Sequence, residues 1–178
     1  MTLPNLITVG RLLLVPAIIW LISDGSFGAA FVVFVIAGIS DGVDGFIARQ
    51  YNLRSQLGTY LDPIADKALL VSIYLSLSLI NELAGWLAVL VVSRDLFIIG
   101  GVMLAWFLER PIEVKPLLIS KINTAGQIIL AAIILGDLAF SAGLGDIRNV
   151  LVWVVGVLTV ASAAAYLIDW VRHMAQDD

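Results

Sequence analysis

The sequence predicts an all-α, polytopic membrane protein built as a six-transmembrane-helix bundle, and three observations carry that prediction. Of its 178 residues, 61% are hydrophobic and 13% are charged; a soluble domain carries about twice that charged share. The few polar residues left are not enough to cover the surface of a soluble fold with so rich a core. The apolar residues gather in six runs, each close to the roughly 20 residues a helix needs to cross the hydrocarbon core. The basic residues then fall almost entirely on one side of a six-span arrangement.

The runs lie near 6–23, 28–49, 57–80, 85–108, 118–139 and 149–171. No basic segment precedes the first run and no convincing cleavage site follows it, so it reads as a retained helix rather than a signal peptide. Asp24-Gly25-Ser26 turns the chain into the second span, and residues 50–57 connect the second to the third as a hairpin. Asn81-Glu82 follows the third span, and Ser141 to Asp146 separate the fifth from the sixth. Pro16 and Pro63 fall inside predicted helices, where each removes a backbone hydrogen bond or bends the axis. Pro63 directly follows Asp62 and helps to aim it.

Orientation follows from position rather than from the net charge of −4. Arg49, Arg54, Arg110, Lys115, Lys121 and Arg172 share one side, and only Arg148 falls in a loop on the other. The positive-inside rule places both termini, and the acidic residues discussed next, toward the cytoplasm. Trp20, Trp86 and Trp153 then lie near the opposite interface, with Trp106 and Trp170 near the cytoplasmic one. The net negative charge argues against a nucleic-acid partner. The absence of cysteine excludes disulfides and thiolate metal sites.

Four carboxylates stand out in this apolar chain. Asp41 and Asp44, three apart, share a face of the second helix, which Gly45 and Ala48 continue with Arg49 beside it. Asp62 and Asp66, four apart, share a face of the third helix, with Gly58 one turn earlier on the same stripe. By helical rise, the first pair lies about 9–14 Å before the end of its helix and the second about 8–14 Å into the next. An antiparallel hairpin brings all four to one depth, just inside the cytoplasmic boundary, so the spacing predicts a single site at the cytoplasmic ends of helices 2 and 3.

Four such carboxylates repel one another unless cations intervene. An oxygen-only donor set selects a hard divalent cation, Mg²⁺ first and Mn²⁺ or Ca²⁺ next. Two ions roughly 4 Å apart would clamp a phosphate between them. Gly45, Ala48 and Gly58 keep the backbone approachable, and Arg49 is a donor suited to phosphate. The alternative is a network in which the acids pair with Arg49, Arg54 and Lys67; Gly38, Gly42 and Gly45 serve helix packing equally well.

The segment reads Asp41-x-x-Asp44-Gly45-x-x-Ala48-Arg49, then eight residues, then Gly58-x-x-x-Asp62-x-x-x-Asp66. It resembles the signature of the CDP-alcohol phosphotransferase (phosphatidyltransferase) family at every defining position. That resemblance implies a single catalytic membrane domain over residues 1–178, six transmembrane helices, a homodimer and two divalent metals. It implies a reaction in which CDP-diacylglycerol gives its phosphatidyl group to an alcohol with release of CMP. By position it implies Asp41, Asp44 and Asp62 as metal ligands, and Asp66 as general base and partial metal ligand. Gly45, Ala48, Arg49 and Gly58 correspond to contacts with the CDP moiety. The setting implied is the inner (plasma) membrane of a bacterium, among its lipids. The metals would neutralise the pyrophosphate and improve CMP as a leaving group, while Asp66, farthest into its helix, takes the proton of the attacking hydroxyl.

For the acceptor alcohol, the opening Leu3-Pro4-Asn5-Leu6-Ile7-Thr8 with Arg11 resembles bacterial phosphatidylglycerophosphate synthases and CMP-forming cardiolipin synthases alike. Three stretches look closer to the cardiolipin synthases: Ser93-Arg94-Asp95, Ser120 to Ala125 with Gln127, and Ala161-Ser162-Ala163 with Tyr166. Phosphatidylglycerol is therefore the first expected acceptor and glycerol 3-phosphate the second; both carry phosphate. Arg94, deep in the fourth span, either pairs with Asp95 or another acid, or joins Arg110, Lys115 and Lys121 in holding the acceptor phosphate. Rim cations also attract anionic lipid. Ala161 to Ala165 form a close helix-packing surface and a candidate dimer contact. His173 reads as a solvated terminal residue. A reading from a different class, a cation or proton transporter using intramembrane aspartates, expects acids near the midplane in broken helices; these cluster near one interface.

Overall fold

The computed structural model describes the backbone of residues 3–50, 56–107 and 117–176, and the side chains of residues 10–42, 65–100 and 117–171. Among the described residues, regular structure is entirely helical. The helices are α1 (Leu3–Ser23), α2 (Phe27–Gln50), α3 (Gln56–Leu79), α4 (Gly85–Phe107), α5 (Leu118–Phe140) and α6 (Gly145–Gln176). Each coincides with a predicted apolar run to within a few residues. Pro16 is accommodated inside α1.

The helix ends show why the runs stop where they do. Gly25, at φ 78°, lets its own N–H reach Ile22 O (3.2 Å) and the Ser26 N–H reach Leu21 O (2.9 Å). These bonds satisfy the last carbonyls of α1 and turn the chain at once into α2. Asn81, at φ 61°, closes α3 in the same way, with Glu82 N–H to Leu77 O at 2.9 Å and Asn81 N–H to Ser78 O at 3.1 Å. Asparagine tolerates this left-handed conformation better than other side-chain-bearing residues. After α5, Ser141 and Gly143 take positive φ, and the Leu144 N–H donates to Asp137 Oδ1 at 3.0 Å.

The helices cluster into two compact units. The first comprises residues 1–83 with 131–144, where α1 packs on α2 and α3. Its core holds Ile18 and Ile22 of α1, Ala30 and Phe34 of α2, and Leu69, Ile73, Tyr74 and Leu77 of α3. Phe31 meets Phe140 edge-on, with ring centroids 5.7 Å apart. The second comprises residues 84–130 with 145–178. There α4 and α6 run parallel, because Trp86 lies on Trp153 (5.2 Å between centroids) and Arg94 further along meets Ser162. The first half of α5 runs against both: Ser120 meets Arg94, Asn123 meets Thr159 and Gly126 meets Val155.

Apolar side chains cover the outside as well as the inside. Leu79, Phe97, Phe140 and Trp153 are each about 67–84% exposed, a distribution that a soluble monomer rarely shows on this scale. Among the described residues, two helical segments, Leu118–Phe140 and Gly145–Val171, are long and apolar enough to cross a membrane; Gly10–Ser23 and Phe27–Gly42 are shorter apolar helices.

Candidate active site

Asp41 of α2 and Asp66 of α3 both meet one cation, Arg11 of α1. Arg11 Nη1 donates to Asp41 Oδ1 at 2.9 Å and also bonds Asp66 Oδ1. Two oxygens that share one nitrogen donor lie at most about 6 Å apart, twice a hydrogen-bond length. The depths agree. Arg11 is about 12 Å from the start of α1, Asp41 about 13 Å from the end of α2, and Asp66 about 15 Å from the start of α3, by helical rise.

Burial within this cluster is unequal. The Arg11 side chain is 3% exposed, whereas those of Asp41 and Asp66 are 49% and 44% exposed. The guanidinium is thus enclosed by protein, whereas both carboxylates stay about half exposed. Carboxylate oxygens from two helices meet here, the donor chemistry that a hard divalent ion takes. Asp44, Gly45, Ala48, Arg49, Gly58 and Asp62 lie on the described helical backbone of α2 and α3, but their side chains lie outside the described residues, as do Arg110 and Lys115 altogether. Among the described residues alone, no three metal-ligating side chains cluster.

Arg11 is the residue whose place in the site sequence reasoning missed, although its presence in the opening motif was noted. A network of the acids with Arg49, Arg54 and Lys67 did not include it, and 55 residues separate it from Asp66. A signal was available: Arg11 is the only charged residue within α1, and a lone arginine in an apolar span needs a partner.

A second polar cluster lies in the other unit. Arg94, 2% exposed, bonds Asp95 Oδ1 through Nη1 at 2.6 Å. Its Nε and Nη2 reach Ser162 Oγ at 3.2 and 2.7 Å, Nη2 also reaches Ser120 Oγ, and its guanidinium carbon sits 5.7 Å from the Tyr166 ring centroid. One arginine thus ties α4 to α5 and α6. Asp95 is the partner anticipated by the pairing alternative. Lys121, beside Ser120, is exposed. Next along α5, Asn123 Oδ1 accepts from Thr159 Oγ1 at 3.0 Å, and both residues are fully buried.

Comparison with known proteins bears on what such a site does. The family model for CDP-alcohol phosphatidyltransferase matches residues 1–161. A chloroplastic CDP-diacylglycerol–glycerol-3-phosphate 3-phosphatidyltransferase of Oryza sativa is 36% identical, over 96% of this chain and 57% of its own length. The CMP-forming cardiolipin synthase of Homo sapiens is 35% identical, over 93% of this chain and 60% of its own. The CDP-diacylglycerol–glycerol-3-phosphate 3-phosphatidyltransferase of Bacillus subtilis is 32% identical, over 92% of each chain. The chain thus spans somewhat more than half of the plant and human proteins and nearly all of the bacillar one. With a family match covering all but the last helical turns, this chain belongs to the CDP-alcohol phosphatidyltransferase family.

Proposed function

We propose that the protein transfers the phosphatidyl group of CDP-diacylglycerol to a free headgroup hydroxyl of phosphatidylglycerol, forming cardiolipin and CMP. The observation that carries this reading is the convergence of Asp41 and Asp66, both members of the family signature, on Arg11 with both carboxylates about half exposed. Asp41, Asp44 and Asp62, with Asp66 in part, hold two divalent ions, Mg²⁺ or Mn²⁺. When bound, these neutralise the pyrophosphate and stabilise the departing CMP. Gly45, Ala48, Arg49 and Gly58 take the CDP moiety.

Asp66 accepts the proton as the acceptor oxygen forms its bond to the phosphatidyl phosphorus. The bond from that phosphorus to the bridging oxygen breaks, and CMP carries that oxygen and its electron pair away. No enzyme nucleophile is needed. For the acceptor phosphate, exposed Lys121 with Arg110 and Lys115 form the proposed cradle. Arg94, whose donors engage Ser120, Ser162 and Asp95, orders the helices around it.

The membrane setting is supported by the two long apolar helices and the apolar outer surface. Six spans, cytoplasmic termini, an active site at the cytoplasmic ends of α2 and α3, a bacterial inner membrane and a homodimer complete the proposal. Glycerol 3-phosphate as acceptor is the second reading, favoured by the near full-length match to the bacillar glycerol-3-phosphate transferase. The transporter reading gains nothing from membership in a family of transferases.

One assay separates these readings: purified protein with CDP-diacylglycerol and Mg²⁺, CMP being measured with each acceptor. Release with phosphatidylglycerol but not glycerol 3-phosphate is expected; the reverse pattern selects the second reading. No CMP with any alcohol overturns the transferase reading.

A further inference from the structure

Arg11 is placed to do more than neutralise charge. A single nitrogen, Nη1, bonds oxygens of two carboxylates carried by different helices. The guanidinium is buried, and the carboxylates are about half exposed. A divalent ion binding these carboxylates meets oxygens already shared with a cation. Two cations at this spacing also repel each other, and at partial burial that repulsion is weakly screened.

We infer that Arg11 is a built-in counter-cation of the metal site, which holds Asp41 and Asp66 together and yields at least one of them when a divalent ion binds. This rests on the proposed roles of Asp41 and Asp66 as metal ligands. Without Arg11, two carboxylates within about 6 Å of each other repel and strain the contacts of α1 with α2 and α3. With it, the site stays assembled at the cost of weaker ion binding. Arg11 is thus a positioning residue: it acts on the metal ligands and tunes how firmly they hold an ion.

The test uses the full chain in detergent micelles, without nucleotide or lipid substrate, and reads Mn²⁺ binding by electron paramagnetic resonance alongside thermal unfolding in EDTA and in saturating Mn²⁺. Arg11→Met should bind Mn²⁺ at least about tenfold more tightly than the unsubstituted protein, one positive charge having left the site. It should melt lower in EDTA and gain more from Mn²⁺. Arg11→Lys, which keeps charge but not the two-carboxylate reach, should move the same way by less. Unchanged or weaker Mn²⁺ binding in the folded variants overturns the inference. If Arg11→Met does not fold, Arg11→Lys decides by the same sign. Asp41→Asn is the control on the underlying reading. Loss of Mn²⁺ binding there with no gain on Arg11 substitution overturns the counter-cation role alone. No Mn²⁺ binding to the unsubstituted protein overturns both.

Discussion

Two arginine–aspartate clusters, one in each unit, use the same chemistry to different ends. In the first, a buried arginine on α1 meets two aspartates on α2 and α3 that remain about half exposed. In the second, Arg94 and Asp95 are 2% and 8% exposed, and Arg94 also meets the hydroxyls of Ser120 and Ser162 and the ring of Tyr166. An ion pair closed on all sides has its remaining donors and acceptors satisfied by the protein, and it ties helices together. A pair whose carboxylates are half exposed keeps part of them in reach of solvent. Accessibility, not residue type, distinguishes the two clusters.

The largest expected effect concerns the open cluster. Asp66→Asn should lower CMP release by about 10³-fold, within the range for loss of a general base, while leaving CDP-diacylglycerol binding largely intact. Equal loss of turnover and binding would contradict its role as base. Next, Asp41→Asn and Asp95→Asn should part company. The first should weaken Mg²⁺-dependent turnover roughly 100-fold and recover partly at high Mg²⁺, and the second should lower the melting temperature with metal affinity unchanged. If Asp95→Asn weakens Mn²⁺ binding as Asp41→Asn does, the contrast between open and closed clusters fails.

Within the closed cluster, Arg94→Met takes the arginine partner from buried Asp95 and should destabilise by about 3–5 kcal/mol, read from equilibrium unfolding in mixed micelles. The double variant Arg94→Met/Asp95→Leu should recover most of that loss, because an apolar pair removes the uncompensated charge. The smallest effect belongs to Thr159→Val. It removes the bond to Asn123 and should cost about 1 kcal/mol, with CMP release unchanged.

Much of the fold was legible because apolar runs of spanning length are a one-dimensional signal. All six helices fall on those runs, and Gly25 and Asn81 mark the ends of α1 and α3 by taking the left-handed conformation that such turns need. The spacing predicted one site for four aspartates; the two with described side chains, Asp41 and Asp66, both meet Arg11 of α1. The pairing of Arg94 with Asp95 was one of two open alternatives, and Ser120, Ser162 and Tyr166 as its further partners could not be read from spacing. They belong to helices whose facing surfaces are chosen by packing, as when a Cβ on Gly156 would lie 2.8 Å from the Trp86 ring.

Local periodicity is a property of the chain alone. A rise of about 1.5 Å per residue and about 3.6 residues per turn place Asp41 beside Asp44, and Asp62 beside Asp66, in any helix they form. The sequence by itself therefore determined the helices and the family signature that the acidic residues compose. Which face of α1 turns toward that site depends on how α1 rotates about its own axis, and that is settled by burying Ile18 and Ile22. Only the tertiary structure decided that Arg11 meets both carboxylates, that these stay about half exposed, and that Arg94 and Asp95 are buried. Rotation and burial arise from side-chain packing among distant segments, which no local spacing encodes.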